Sequence, residues 1–295
     1  RAALLASATP LPEPGGIAIH PAPELLLSLS PEVRAPLYAG LARYASGGAY
    51  RFPFRFETAN PDAWFGDSEV SPRTRDLLGR LVYQRGTMTL FSDPLFLLQR
   101  IPGVPERRAL MQVLHRQPTM LLHLMIKDDT SIDSLVSYWG GRGREWEVRP
   151  LLESLGEASP AWPIGVTPLL PPLPRRLLYT YDSDREGPPR DCHWTSMNFF
   201  NREPDPRFHD IAFVRQTILD HYRRVEKDFQ LGDLILLRDR QGQVQHSCTY
   251  LADHLVFTKN GGERAQPWVL MTLDDLVSYY SVNEPLEVVF LRAID

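Results

Sequence analysis

The hydrophobic pattern of residues 191–201 predicts the start of a buried helix. Its apolar side chains recur at helical spacing, at Trp194, Met197, Phe199 and Phe200. Asp191 precedes them and is a residue type that favours the N-cap. Cys192 then falls in the first turn, where the helix dipole and unpaired N–H groups favour a reactive thiolate. The alternative interpretation is a small buried cysteine that only packs.

Residues 234–237, 244–251 and 255–259 have the pattern of three antiparallel strands. Because side chains alternate along a strand, His246, Cys248 and Tyr250 share one face of the second strand. If that face looks toward the helix, His246 meets Cys192, and its imidazole can take the proton of the thiol. A structural role for the histidine is the alternative.

The order of predicted elements indicates an α+β protein of three parts. Residues 1–118 form a mixed α/β region without a recognisable chemical constellation. Residues 119–181 read as a β-α-α-β module, with a strand at 120–126, two helices and an extended proline-rich end. Residues 182–295 hold the helix and the sheet described above, a helix at 210–227 and a final strand at 287–291.

Composition excludes several classes of function. The hydrophobic fraction of 43% and charged fraction of 23% are ordinary for a soluble globular protein. The net charge of −4 gives no footprint for nucleic acid, and no apolar run is long enough to span a membrane. Two cysteines are too few for a zinc site or a disulfide scaffold. No metal or cofactor is expected, and Asp182, Asp184 and Glu186 are predicted to be solvated loop acids.

Three short motifs resemble those of the NlpC family of cell-wall cysteine peptidases. They are Asp191-Cys192 at a helix start, Leu231-Gly232-Asp233-Leu234 opening a sheet, and His246-x-x-x-Tyr250-Leu251 on its second strand. The resemblance implies a papain-like fold, in which the nucleophile helix packs on an antiparallel sheet. It also implies Cys192 as nucleophile, His246 as base, and amide bonds of peptidoglycan stem peptides as substrate.

The resemblance further implies a third polar residue that orients the imidazole. This position falls among Thr258, Lys259 and Asn260. Asn260 is favoured, because an amide oxygen can accept a hydrogen bond from the imidazole N–H, whereas a lysine would repel an imidazolium.

The sequence also departs from the family pattern around the expected cleft. His193-Trp194 replaces Ser-Gly after the nucleophile, and Cys248 stands where the family commonly has Gly. Tyr181 sits upstream of the cysteine, where the family carries a tyrosine. Tyr181, Trp194 and Cys248 are therefore expected to contact substrate, and the specificity is expected to differ. Cys248 is also near enough in the predicted cleft for a reversible disulfide with Cys192, or it simply lines the cleft floor.

Residues 119–181 resemble a divergent LysM module, the small glycan-binding unit of bacterial cell-wall proteins. The similarity lies in Asp129-Thr130 and Tyr138-Trp139-Gly140, at the two ends of the first predicted helix. A linker domain of the same β-α-α-β order, without a ligand, is the alternative.

Together these patterns predict a secreted or envelope-associated thiol hydrolase acting on peptidoglycan or its peptide fragments. Residues 2–8, Ala-Ala-Leu-Leu-Ala-Ser-Ala, are typical of the end of a signal peptide, with a low-complexity N-terminus as the alternative. A non-catalytic cell-wall or protein-binding module that retains the fold is the second hypothesis. An acyltransferase is disfavoured, because permuted relatives with lipid substrates place the histidine before the cysteine.

Overall fold

The computed structural model describes residues 9–13, 16–20, 22–42, 48–56, 61–86, 88–127, 129–158, 163–184, 186–281 and 284–294. The candidate leader residues 2–8 lie outside this part of the chain. The chain divides into two compact units, Arg1–His115 and Arg116–Asp295. Both combine helices with antiparallel sheets, so the α+β class predicted from the sequence is correct. No helix in the described ranges has the length and apolar character needed to cross a membrane.

The first unit contains two small sheets and seven helices within its described residues. Its strands are β1 Thr9–Glu13, β2 Gly16–His20, β3 Phe54–Phe56, β4 Tyr83–Arg85 and β5 Met88–Phe91, paired as β1-β2 and β3-β5-β4. Its helices are α1 Pro23–Ser28, α2 Pro31–Leu41, α3 Gly48–Arg51, α4 Pro61–Phe65, α5 Pro72–Gly79, α6 Pro94–Leu98 and α7 Val104–Leu114. Prolines at the first position of several helices replace an N–H that would have no partner there.

The second unit is built on a six-stranded antiparallel sheet. Its strands run in the order β12-β11-β10-β9-β13-β8. They are β8 Tyr222–Val225, β9 Leu234–Arg238, β10 Val244–Ala252, β11 Leu255–Lys259, β12 Trp268–Thr272 and β13 Glu287–Ala293. The helix predicted at 210–227 is therefore too long. It ends at His221, because the next four residues pair with β13 as an edge strand.

Helices cover both faces of this sheet. Helices α11 Cys192–Met197 and α12 Ile211–His221 pack on one face, against Leu234, Leu236 and Val289. Helix α13 Leu273–Tyr280 packs on the other, against Ile235, Leu237 and Val256. Because side chains alternate along each strand, neighbouring residues contribute to different layers of the core. We refer to these as the α11 face and the α13 face.

Residues 119–181 belong to the second unit and share its core. They form β6 His123–Met125, α8 Ile132–Trp139, α9 Glu145–Ala158, β7 Pro163–Gly165 and α10 Pro172–Leu177, with β6 paired to β7. The β-α-α-β order matches the sequence pattern, but the proline-rich end is a short helix rather than an extended segment. Trp139 and Leu169 join one hydrophobic cluster with Trp194 and Trp268, and Tyr138 donates a hydrogen bond to Leu251 O at 2.5 Å. The division predicted at residue 181 thus lies inside one continuous core.

The Gly232-Asp233 motif has a structural explanation. Gly232 has a φ of +90°, and a Cβ there would lie 2.0 Å from the ring of Phe200, so only glycine fits. The buried carboxylate of Asp233 accepts the Gln230 N–H at 2.8 Å and pairs with Arg292 at 2.7 Å. These contacts fix the turn that leads into β9.

Candidate active site

Helix α11 begins at Cys192, as the sequence predicts. The Asp191 side chain caps it by accepting the Trp194 N–H at 2.7 Å. The helix packs on β10 and β11, and this contact leaves Cys192 only 8% exposed. The thiol therefore lies at a capped helix start against the central part of the sheet.

Burial, not the helix dipole, dominates the acidity of Cys192. Removal from water raises the pKa of the thiol to about 11, and the adjacent Asp191 carboxylate raises it further. Hydrogen bonds from the backbone and hydroxyl of Ser247 act in the opposite direction without cancelling the effect of burial. The resting thiol is therefore protonated at neutral pH, in contrast to the thiolate expected from its helix position.

The residue of β10 that faces α11 is Ser247. Its Oγ lies 2.8 Å from Ser196 Oγ and 2.9 Å from His193 Nδ1, both on the Cys192 helix. His246 instead stacks on Tyr280 of α13, with ring centroids 4.3 Å apart. His246 and Cys248 share a face, as expected, but it is the α13 face. We expected this face to look toward the cysteine helix, but it looks away from it.

Cys248 packs in the apolar cluster beneath α13. It is 1% exposed and lies beside Leu273 and Leu276. The expected position on a cleft floor is therefore wrong, because the α13 face is filled by this helix. Both cysteines are free thiols; Cys192 belongs to the helix that packs on the α11 face, and Cys248 lies in the cluster on the α13 face. This arrangement does not favour the disulfide considered from the sequence.

The imidazole of His246 is held by a chain of hydrogen bonds along the α13 face. Its Nε2 lies 2.8 Å from Thr258 Oγ1, and Thr258 donates to Asn260 Oδ1 at 3.0 Å. Since the Thr258 proton points to Asn260, Nε2 must be the donor, and the lone pair lies on Nδ1. Nδ1 is buried and has no hydrogen-bond partner among the described residues. Asn260 Nδ2 continues the chain to Gln117 Oε1 at 2.5 Å.

His246 is therefore an oriented, neutral base. Burial lowers its pKa well below the usual range, and the neighbouring His193 lowers it further. Burial also lowers the pKa of His193, against the influence of Asp191. Neither imidazole is charged at neutral pH in this conformation.

The three candidates for the orienting position divide between the two faces. Thr258 contacts the imidazole directly. Asn260, which was favoured from the sequence, accepts a hydrogen bond from Thr258 and reaches the imidazole only through it. Lys259 lies on the α11 face, where its Nζ donates to Glu263 O at 2.7 Å and lies 5.4 Å from the centre of the Trp268 ring. Burial lowers the pKa of Lys259 to about 8, while Asp182, Asp191 and Cys192 act to raise it.

A set of ion pairs fixes the segment before Cys192. The Asp182 carboxylate is fully buried, accepts the Arg190 N–H at 3.0 Å, and lies 3.7 Å from Arg190 and 3.8 Å from Arg264. Arg264 also donates to Gly187 O. Asp182 is thus a structural anchor rather than the solvated loop acid expected from the sequence. In the described part of the chain, no cluster of three or more acidic, His or Cys residues is arranged to hold a metal.

The two aromatic residues expected to contact substrate differ in their surroundings. Trp194 is 2% exposed; its ring stacks on His209, and the Arg190 guanidinium also lies over the ring. It is a core residue, because it occupies the buried side of α11. Tyr181 is 36% exposed and lines an open cavity with Tyr179.

Sequence reasoning included Thr258 among three candidates for the orienting position but favoured Asn260, and it missed Ser247 and Arg264. Ser247 could have been identified from the sequence, because it is a small polar residue between His246 and Cys248, the two candidates on the same strand. Comparisons with protein-family models, with curated proteins and with solved structures each gave no match. The geometry of the site therefore carries the functional argument.

Proposed function

We propose that this protein is a thiol hydrolase that cleaves amide bonds in peptidoglycan stem peptides, with Cys192 as nucleophile and His246 as base. One observation carries the proposal. The His246 imidazole is buried, fixed through Nε2, and left with an unpaired lone pair on Nδ1. Buried polar atoms without partners are rare in proteins and cluster where a function uses them.

The proposed chemistry follows from these two groups. Cys192 transfers its proton to His246 Nδ1, and the sulfur attacks the amide carbonyl to form a thioester. The imidazolium returns the proton to the departing amine. A water molecule, deprotonated by His246, then attacks the thioester; the carboxylic acid is released, and the imidazolium returns its proton to the Cys192 sulfur. Throughout the cycle Thr258 accepts from Nε2–H and keeps the ring oriented.

The proposal requires a rearrangement of the resting site. The Cys192 thiol is associated with Ser247 on the α11 face, while His246 lies on the α13 face. Both groups are uncharged and buried, which suits a closed resting form. Activity requires a movement that brings Sγ within hydrogen-bond reach of Nδ1. The β10-β11 pairing begins at Thr249 and Phe257, whereas His246 is paired with Leu237 of β9, so the β9-β10 ladder is the backbone pairing that such a movement has to accommodate.

The substrate class and the location at the cell envelope rest on the three motifs that resemble the NlpC family. The glycan-binding role proposed for residues 119–181 also rests on resemblance. Because that segment shares a core with the Cys192 helix, any glycan binding belongs to the intact second unit.

A second candidate is a binding protein that retains this arrangement without turnover. It is favoured by the protonated Cys192 thiol and by its separation from His246 Nδ1. In this case the network on the α13 face stabilises the fold, and the thiol only packs.

The test is to incubate the full chain with soluble muropeptides and to measure new amino groups and product masses. We expect product from the wild type and none from Cys192→Ser. Cys248→Ser is the matched control, because it replaces the other buried thiol on the opposite face. Folded wild type that binds muropeptides without cleaving them would support the second candidate. Equal turnover by Cys192→Ser would remove Cys192 as nucleophile.

A further inference from the structure

An open cavity of about 170 Å³ lies at the outer edge of β12. Its lining includes Arg116, Gln117, Thr119, Tyr179, Tyr181 and Trp268. The two tyrosines are 39% and 36% exposed. The cavity thus presents aromatic surface together with an amide and a guanidinium group, and it is open to solvent.

Tyr179 is held in a strained backbone conformation at this cavity. Its φ is +64°, which is unusual for a bulky side chain. The Tyr179 N–H donates to Trp268 O at 2.9 Å, and its hydroxyl donates to Met120 O at 2.8 Å. These contacts hold the ring at the cavity although a glycine would adopt the backbone more easily. Such strain is concentrated at binding and catalytic sites.

The cavity is connected to the proposed base. Gln117 lines the cavity, and its Oε1 accepts from Asn260, which accepts from the Thr258 hydroxyl bonded to His246. Three hydrogen bonds therefore separate a cavity side chain from the imidazole. The Gln117 amide N–H₂ has no hydrogen-bond partner in the described ranges, which leaves it able to donate to a ligand.

The distance from the cavity to Cys192 is also informative. Segment 178–181 bridges to the edge of β12, and β11 separates β12 from β10, on which Cys192 packs. Three strand spacings, about 14 Å, are an upper bound on this separation, because the Cys192 helix also packs on β11. An extended peptide of four residues has a similar length of about 14 Å. A substrate can therefore reach both places if a short peptide joins them.

From this arrangement we infer that the cavity binds a saccharide ring, the sugar from which a stem peptide extends toward Cys192. This inference rests on the proposed function. A sugar ring has an apolar C–H face that stacks on tyrosine and hydroxyl groups that accept from an amide or guanidinium. Tyr179, Tyr181 and Gln117 supply this combination of contacts.

The experiment measures binding in the full-length Cys192→Ala variant, so that no turnover is needed. The probes are a soluble N-acetylglucosamine trimer and a free stem peptide, each titrated by calorimetry. We expect the trimer to bind, and Tyr179→Gly or Tyr181→Ala to weaken that binding at least tenfold. Tyr179→Gly removes the ring while suiting the positive φ, so the fold is retained. Trp146→Ala is the control, because it removes another exposed aromatic residue, one that does not line the cavity.

Two results would overturn the inference. One is that the trimer does not bind while Cys192→Ala is folded. The other is that it binds equally to Tyr179→Gly, Tyr181→Ala and Trp146→Ala. Trimer binding lost only in the two tyrosine variants supports the saccharide site even if the wild type cleaves nothing, in which case the hydrolase proposal alone fails.

Discussion

The two faces of the six-stranded sheet bury polar groups in different ways. On the α13 face, His246, Thr258 and Asn260 form one continuous chain with a single unpaired atom, His246 Nδ1. On the α11 face, Ser247 is bonded to groups of the cysteine helix, and Lys259 is bonded to loop carbonyls. The first arrangement orients the His246 imidazole, and the second lies beside a protonated thiol.

One residue of strand alternation therefore separates the proposed base from a residue that contacts the cysteine helix. Ser247 and His246 are adjacent, yet one meets the Cys192 helix and the other stacks on α13. A motif that contains both residues does not reveal which of them faces the thiol. Substitutions on each face can therefore show which face supplies the chemistry and how much each network stabilises the protein.

Glutamine substitutions distinguish the two imidazoles most strongly. Under the proposed function, His246→Gln lowers the rate of muropeptide cleavage by about 10²–10⁴-fold, because general base catalysis is lost. His193→Gln is the matched control on the α11 face, and we expect less than about a tenfold loss. Rates are measured at saturating substrate, with thermal unfolding to show that both variants are folded. The reverse order would assign the base to His193 and to the α11 face.

The local structure around Cys192 could be predicted from the sequence. The Asp191 cap, the start of α11 and the strands on either side of His246 all follow from local rules of capping and alternation. The β-α-α-β order of residues 119–181 is also local. These features depend on neighbours in the chain, which the sequence displays directly.

The sequence could not predict on which face of the sheet His246 lies, because β10 is buried on both sides. Residues 246–249 are all buried, so no alternation of apolar and polar positions marks the side toward α11. A bulge between Val244 and His246 also interrupts the register at the start of this stretch. The pKa of Cys192 was missed for a related reason: the depth of burial depends on distant elements and outweighs the local helix dipole.

The second effect concerns the two thiols, one on each face. Because burial raises the pKa of Cys192 to about 11, little thiolate is present at pH 7. We expect alkylation of Cys192 by iodoacetamide to accelerate about tenfold per pH unit up to that pKa. Cys248 is more deeply buried, and burial raises its pKa well above the usual range, so it reacts more slowly throughout.

Peptide mass mapping at several pH values measures both thiols in the same sample. Native protein is compared with protein unfolded in urea, in which the two cysteines should react alike. A Cys192 rate that is already fast and independent of pH near neutrality would indicate a thiolate, and with it an opened site. Equal alkylation rates for the two native thiols would show that the reagent reaches both faces of the sheet equally well.

The smallest change is expected from valine substitutions at two buried threonines, which lie on adjacent strands and opposite faces of the sheet. Thr258→Val removes the hydroxyl that joins His246 to Asn260 and leaves Nε2–H and Oδ1 without their partner. We expect the free energy of unfolding to fall by about 1–3 kcal/mol, the cost of unpaired buried polar groups. Thr249→Val is the control, because the Thr249 hydroxyl is buried without a hydrogen-bond partner. Its loss should be neutral or slightly stabilising.

Urea unfolding of the two variants measures this difference directly, since both remove one hydroxyl from a fully buried threonine of the same sheet. The expected difference in unfolding free energy between the two variants therefore reports the contribution of the hydrogen-bond chain, because any effect of valine on strand stability is common to both. The same variants separate stability from function. If Thr258 orients the base, Thr258→Val lowers the turnover rate even where it remains fully folded, because the imidazole no longer keeps its lone pair on Nδ1. Equal stability and equal turnover in the two variants would mean that the α13 face does not orient His246.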